Sequence, residues 1–336
     1  MSGVELRSVA RVAEPVEFLL AERAVQPQAE LDTPCVTILL CTYNGARFLA
    51  AQLASIEQQS HQNWRLIVSD DGSTDATLAI VQHFAQRTGK PVELREGPRL
   101  GPAANFQTLA ADPAITGDYF AFCDQDDVWH REKLARALDW MRGAPSDIAS
   151  VYGARTRLVC AGGKPIGYSR HFRKPPQFAN ALVQSIAGAN TMLFNGATKR
   201  LFEESGPLNV VSHDWWAYQL VSGSGGIVRY DPEPPLDYRQ HADNRIGSNR
   251  GLRAQWKRLR LVLNGGFADW NEVNLAALRS ACHLLTDEAR RQLDAYEMMR
   301  KGRFVSRLKA FAKSPMRRQA FLGNVALLIA VVLKKI

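Results

Sequence analysis

Polar side chains that could bind a charged ligand follow three short apolar segments of this chain. Residues 42–44 (Thr-Tyr-Asn) follow the first segment, residues 70–71 (Asp-Asp) follow the second, and residues 124–127 (Asp-Gln-Asp-Asp) follow a later one. Bunched carboxylates repel one another unless something positive is bound between them. An oxygen-only set suits Mg²⁺ or Mn²⁺ holding a diphosphate, since Mg²⁺ takes only one or two protein carboxylates. The second pair could instead accept hydrogen bonds from a ribose or a base.

The elements that must position these groups follow from hydrophobic periodicity. It predicts strands at 36–41, 65–69, 92–95 and 119–123, alternating with helices at 47–58, 73–85, 105–110 and 132–141. Such alternation predicts an α/β fold with a mainly parallel sheet and helices on both faces. Ligands of such sheets bind beyond the carboxyl ends of the strands, which is where the polar clusters fall. After residue 150 the rhythm changes, with strands predicted at 151–159, 192–194, 227–230 and 236–239 and a helix at 214–221.

Each cluster also has a structural interpretation. Residues 70–75 make a good turn and helix cap, with Ser73 at the cap. In Ser-His-Asp-Trp-Trp (residues 212–216), Asp214 could serve as a general base beside the aromatic surfaces of Trp215 and Trp216. The same five residues could simply start a helix and pack. In residues 238–245, His241 could be a ligand or part of a solvated loop.

The charge is unevenly distributed. The formal net charge is +9, but residues 250–336 alone carry a balance of +12 and the other residues are slightly acidic. This argues against nucleic acid as a partner, because a nucleic-acid coat protein needs its basic surface on the folded body. Residues 301–318 predict a basic amphipathic helix, and the apolar run at 321–333 is too short to span a bilayer. The tail therefore predicts either an anchor on anionic lipid or a helix that packs on the catalytic body or on a second subunit of a homo-oligomer.

Taken together, these blocks resemble the family 2 glycosyltransferases. The matching residues are VTILLCTYNG (36–45), LIVSDDGSTDAT (66–77) and FCDQDDVW (122–129). HDWW (213–216), YRQH (238–241) and Asn244 look most like the rhamnosyltransferase branch of that family. The resemblance implies the nucleotide-diphospho-sugar transferase fold called GT-A, as an α/β domain at 34–250. Residues 34–150 would bind the nucleotide sugar and 151–250 the acceptor, between an extension at 1–33 and a basic helical region at 251–336.

Roles carried over from the family fall on individual residues. The residues implied to contact the nucleotide sugar are Thr42, Tyr43, Asn44, Asp71, Asp124 and Arg239. Asp126 and His241 are implied to hold Mg²⁺ or Mn²⁺, with Asp124 facing the ribose or the metal. Asp214 is implied as the catalytic base, and Trp215 and Trp216 as acceptor contacts.

The resemblance implies a non-processive inverting transfer, because the QxxRW motif of processive synthases is absent. The implied donor is dTDP-rhamnose, and the acceptor is a saccharide or a lipid-linked saccharide of bacterial lipopolysaccharide or another surface polysaccharide. The expected location is cytoplasmic, on the inner face of the membrane. UDP- or GDP-sugars, a related nucleotidyltransferase and a non-catalytic binding protein stay open as alternatives. A nucleotidyltransferase would want a glycine-rich basic loop after the first strand, which residues 42–45 do not form.

Overall fold

The computed structural model describes residues 33–241 and 266–336. The strands are β1 Val36–Thr42, β2 Trp64–Asp70, β3 Val92–Glu96, β4 Tyr119–Cys123, β5 Val128–Trp129, β6 Ser150–Ala154, β7 Arg157–Cys160, β8 Pro165–Tyr168, β9 Leu193–Asn195, β10 Ile227–Asp231 and β11 Leu236–Gln240. The helices are α1 Ala46–Glu57, α2 Thr77–Thr88, α3 Pro102–Ala111, α4 Lys133–Arg142, α5 Phe178–Ala181, α6 Gly196–Ser205, α7 His213–Gly223, α8 Gly266–Ser280, α9 Asp287–Lys301, α10 Phe304–Lys313 and α11 Phe321–Val332.

The main sheet has seven strands in the order β10-β6-β9-β4-β1-β2-β3. Its half from β4 to β3 is parallel throughout, and only β9 runs antiparallel to both of its neighbours. Every residue of β1 is buried, as expected for a strand covered by helices on both faces. The predicted α/β fold with a mainly parallel sheet is confirmed.

The prediction of one strand over residues 151–159 is wrong. The chain forms β6 in the main sheet, turns, and continues as β7 in a second sheet with the order β5-β11-β7-β8. Arg155 donates its backbone N–H to the carbonyl of Asp231, and Thr156 donates to Ser169, so tertiary bonds hold the turn. Both halves are apolar and β-rich, so periodicity alone could not reveal the break.

The described C-terminal helices share a core with the sheet. The side chains of Leu278, Tyr296 and Leu327 belong to the same buried cluster as Phe120 of β4. The inward side of these helices therefore packs on the catalytic body, as one of the two interpretations of the tail predicted. No helix in the two described ranges is both long enough and apolar enough to cross a membrane. Residues 1–32 and 242–265, including Asn244 and Arg245, lie outside the described residues.

Candidate active site

Strand register brings the polar loops to one edge of the sheet. Thr42 at the end of β1 lies opposite Asp70 at the end of β2, and Leu40 lies opposite Cys123, the last residue of β4. The loops that begin at Tyr43, Asp71 and Asp124 therefore leave neighbouring parallel strands in the same direction. The predicted clustering at the carboxyl edge is observed.

Asp70 organises the first two loops rather than facing a ligand. Its carboxylate accepts hydrogen bonds from the Thr42 hydroxyl at 2.7 Å and from the backbone N–H of Ser73 at 2.7 Å. The side chain of Asn44 accepts the N–H of Thr74 at 2.8 Å, so this amide also ties one loop to the other. Thr42 is only 2% exposed. The Thr42 side chain is therefore buried and occupied by Asp70, whereas Asn44 is exposed and uses its amide oxygen to join the loops.

The prediction of Ser73 as a helix cap is wrong. The helix α2 begins at Thr77, with Ala76 preceding it. The Ser73 hydroxyl donates to Asp70 and accepts the backbone N–H of Asn44. Ser73 is thus used to join the loops, a role that depends on a residue 29 positions away.

Asp71 and Tyr43 remain at the rim. The two carboxylate oxygens of Asp71 accept backbone N–H groups of Arg99 at 2.6 Å and of Gly101 at 2.7 Å, which orients the carboxylate. The Tyr43 side chain is 57% exposed. Its backbone is held by Gln125, whose amide accepts from Tyr43 N–H at 2.9 Å and donates to Tyr43 C=O at 3.0 Å. This two-bond clamp joins the loop after β4 to the loop after β1, and sequence reasoning missed it.

Three carboxylates form one electrostatic group beyond β4. Burial raises the pKa of Asp124 to about 8, and the negative charges of Asp126 and Asp214 add to that rise. Asp214 comes from the first turn of α7, about ninety positions along the chain from the other two. The charge of Asp214 therefore acts on Asp124, and a bound cation would relieve the repulsion that Asp124 experiences from Asp126 and Asp214.

His241 lies beside Asp126, with 2.7 Å between the imidazole Nε2 and the carboxylate Oδ2. The pairing of β11 with β5 produces this contact, because β5 directly follows the Asp-Gln-Asp-Asp segment and His241 directly follows β11. Arg239 donates to the backbone carbonyl of Asp126 at 3.0 Å and lies over the ring of Phe48. The predicted pair Asp126 and His241 is brought together, and Arg239 supports the loop between them.

Asp127 points into the protein instead of the cleft. It is fully buried and accepts from the Asn190 amide at 2.5 Å and from the Arg239 backbone at 3.2 Å. Lys133 is buried nearby with its ammonium over the Trp129 ring, and burial lowers the pKa of this lysine to about 8. Asn190 and Lys133 are support residues that no local sequence signal identifies, because their partners are distant in sequence.

The residues predicted to be functional at the start of α7 differ in burial, and only Asp214 is partly accessible to solvent among residues 213–216. Asp214 is half-buried, and burial raises the pKa of its carboxyl above the ordinary value, although hydrogen bonds from Ser212 and from the Trp215 backbone oppose the rise. A raised pKa makes a carboxylate a stronger base at neutral pH.

Trp215 and Trp216 do not line the cleft. Trp216 is 0% exposed, and the buried Trp215 donates its indole N–H to the carbonyl of Ala181 at 2.6 Å. Both tryptophans pack in the interior, as the structural interpretation of residues 212–216 predicted. The prediction that their faces stack on an acceptor sugar does not fit this burial.

His213 is also part of the interior. Its ring stacks on Phe106 with 3.9 Å between centroids and meets the edge of Phe122. Burial lowers the pKa of this imidazole to about 3, so it is neutral at physiological pH.

Comparison with known proteins identifies the family of this α/β chain. Residues 37–201 match the model for glycosyl transferase family 2. These residues, which make up just under half of the chain, belong to this family. The chain is therefore a glycosyltransferase, and its mainly parallel α/β structure is the GT-A fold that the resemblance implied.

Two curated relatives align with about two thirds of this chain. The dTDP-rhamnosyl transferase RfbG of Shigella flexneri is 27% identical over 67% of this chain and 79% of its own length. The putative teichuronic acid biosynthesis glycosyltransferase TuaG of Bacillus subtilis is 29% identical over 66% of this chain and 85% of its own length. A solved mannosyltransferase from Pyrobaculum calidifontis, in complex with GDP-Man and Mn²⁺, aligns with a TM-score of 0.48 and 20% identity, covering 90% of this chain and 87% of that one.

Proposed function

We propose that this family 2 enzyme transfers one L-rhamnose residue from dTDP-rhamnose, with inversion, to a hydroxyl group of a saccharide or lipid-linked acceptor. The product would belong to bacterial lipopolysaccharide or another surface polysaccharide, made at the inner face of the cytoplasmic membrane. The observation that carries the proposal is the 2.7 Å contact of Asp126 with His241 beyond the carboxyl ends of the strands, beside Asp124, whose carboxyl is influenced by the charge of Asp214. The choice of rhamnose is supported by the similarity to RfbG.

In this scheme Asp214 is the base that removes the proton from the acceptor hydroxyl. The raised pKa of Asp214 suits that task, since a carboxylate with a higher pKa accepts a proton more readily. The backbone N–H of Trp215, which donates to one carboxylate oxygen at 2.7 Å, orients the Asp214 side chain. Exposed Tyr43 and the oriented carboxylate of Asp71 would contact the nucleotide.

Asp126 and His241 would hold the divalent ion. One carboxylate oxygen and one imidazole nitrogen 2.7 Å apart form a donor pair that Mn²⁺ or Mg²⁺ accepts. In the described residues no group of three or more histidine, cysteine or acidic side chains forms a ready-made metal site. Two protein ligands suffice where substrate phosphates supply the rest. When bound, the ion would offset the charge on the departing nucleoside diphosphate.

A donor panel tests the proposal. dTDP-rhamnose, UDP-sugars and GDP-sugars are incubated with a saccharide acceptor and Mn²⁺, and released nucleoside diphosphate is measured. We expect Asp214→Asn to lower turnover by at least about a thousandfold, because only the proton acceptor is lost, while nucleotide affinity stays within about threefold. Asp118→Asn, at the start of β4, serves as the matched control. An Asp214→Asn variant that keeps most of its activity would remove this residue from the role of base.

Metal removal gives an independent test. We expect dialysis against EDTA to abolish transfer and added Mn²⁺ or Mg²⁺ to restore it, and Asp126→Asn to raise the metal concentration needed for half-maximal rate. Undiminished turnover in the EDTA-treated enzyme would exclude a role for the ion. Turnover with a UDP- or GDP-sugar alone would replace rhamnose but leave the catalytic scheme intact.

A further inference from the structure

The outward side of helix α11 is an unusually apolar surface for a chain in water. Its exposed large side chains are Phe321, Leu322, Val325, Leu328, Ile329 and Val332, and Leu333 follows them. At 3.6 residues per turn these seven fall within an arc of roughly 140°. The buried residues Leu327, Ala330 and Val331 lie on the opposite side, against the core. We call this exposed set the α11 face.

Helix α10 extends the same surface. The Arg307 guanidinium donates to the carbonyl of Val332 at 3.0 Å, so the first turn of α10 lies beside the last turn of α11. Phe304 and Val305, in that first turn, are both more than half exposed. Contiguous exposed apolar patches of this kind mark sites of protein or membrane contact.

The charge around the face selects the kind of partner. Residues 303–336 contain eight lysines and arginines and no acidic residue. Lys309, Lys313, Arg317 and Lys334 are exposed, and within the described part of the chain none of them forms an ion pair with an acidic side chain. Two copies of such a surface would repel each other, whereas an anionic bilayer attracts it.

We propose that the α11 face and the first turn of α10 dock on an anionic lipid surface. Twelve residues are too few to cross a bilayer, so α11 lies in the plane of the interface with its inward side still packed on the protein. Lysines flanking the face extend toward the headgroups. A lipid-linked acceptor gives this docking a purpose, and in that respect the inference rests on the proposed function. The binding itself requires no turnover.

Vesicle flotation of the full chain tests the proposal. The probes are vesicles of phosphatidylcholine alone and of equal parts phosphatidylcholine and phosphatidylglycerol. We expect binding to the anionic vesicles only, weakened at high salt. Leu322→Ser combined with Ile329→Ser should lower the partition coefficient about tenfold or more, and Lys334→Gln combined with Lys335→Gln about tenfold.

Matched controls keep the outcome interpretable. Ile166 of β8 is 51% exposed, against 46% for Ile329, so Ile166→Ser removes a similar exposed apolar area elsewhere. Lys164→Gln removes a positive charge elsewhere on the surface and is the control for the two lysine substitutions. Both should bind like the parent, and all variants should keep the parent Tm because none of the changed side chains is buried. Failure of the parent to bind anionic vesicles, or equal binding by the α11 variants, would overturn the inference.

Oligomeric state distinguishes the competing occupant. Light scattering could instead find a dimer that Ile329→Ser converts to monomers, together with a parent protein that does not bind vesicles. In that case the α11 face is an interface between copies of the chain, and the lipid proposal is wrong. Nucleotide affinity measured in solution is expected to be unchanged in every one of these variants. Loss of lipid binding is thereby separated from any failure of the proposed transferase function.

Discussion

At the scale of single residues, burial rather than residue type decides what the side chains near the cleft do. Asp124 and Asp127 are three positions apart in the same segment. The charge of Asp214 acts on Asp124, whereas Asp127 accepts a hydrogen bond from the Asn190 amide in the interior. His213 and Asp214 are adjacent, yet His213 is buried while Asp214 is half-buried. The imidazole of His213 stacks on the ring of Phe106, where it stays neutral.

The neutral His213 predicts a pH dependence of stability. In the unfolded chain the pKa of this imidazole is about 6.5, whereas in the folded protein it is about 3. Between these two pH values the imidazole is protonated in the unfolded state and neutral in the folded state, which favours unfolding. The stability present above about pH 6.5 is therefore lost as the pH falls. We expect the parent to lose about 2 kcal/mol more than His213→Phe between about pH 7.5 and about pH 5 in urea unfolding. His83→Phe, at an exposed histidine, should behave like the parent, and an identical pH slope in His213→Phe would contradict the assignment.

At the scale of elements, the loops at the carboxyl edge act as one unit because side chains from one loop bond the backbone of another. Gln125 holds Tyr43, Ser73 holds Asn44, and the N–H of Gly45 donates to the Thr77 hydroxyl at 2.8 Å. Gly45 is required by this closeness, since a Cβ there would lie 2.2 Å from the Gln125 amide oxygen. The loop after β1 and the loop after β4 are thereby mechanically linked.

A double-mutant cycle tests that link. Gln125→Ala removes two hydrogen bonds and should weaken nucleoside diphosphate binding about fivefold to thirtyfold, because Tyr43 loses its fixed position. Gly45→Ala should do nearly the same by displacing the Gln125 amide. The double variant should then be no weaker than Gln125→Ala alone, as measured by calorimetric titration. Additive losses in the double variant would show that the two residues act separately.

At the scale of the whole molecule, the C-terminal helices are part of the folding unit. Leu327 of α11 is 2% exposed in the core that also contains Phe120, and the Arg300 guanidinium bonds the carbonyl of Ile336 at 3.1 Å. Removing residues 303–336 would therefore expose core side chains, so truncation cannot separate lipid docking from stability. Point changes on the outward face can.

Two neighbouring leucines make the matching prediction. Leu327→Ala should lower the free energy of unfolding by about 2–4 kcal/mol, because it opens a cavity in the core. Leu328→Ala, at a side chain that is 41% exposed on the α11 face, should change it by less than about 0.5 kcal/mol. Urea unfolding of both variants checks this, and equal costs would mean that α11 does not pack as described.

The amino-acid sequence was enough to predict the α/β class, the order of the first strands and helices, and the positions where polar residues follow the strands. These are local properties: apolar periodicity sets each element, and parallel strands must end on one edge. Its pattern also sufficed to find Asp124, Asp126, Asp214 and His241 as candidates. The identity of the sugar is a different matter, because specificity depends on contacts that short motifs do not carry.

Which of these side chains stay accessible beyond the strand ends could not be predicted, because it depends on tertiary contacts. Burial of Trp216, the Gln125 clamp on Tyr43 and the division of residues 151–159 between two sheets all depend on partners far away in sequence. The same holds for α11, where one apolar run supplies both core residues and an exposed face. Because this segment is apolar on every side, its sequence does not indicate which side of the helix is buried. Packing against the rest of the chain selects that side.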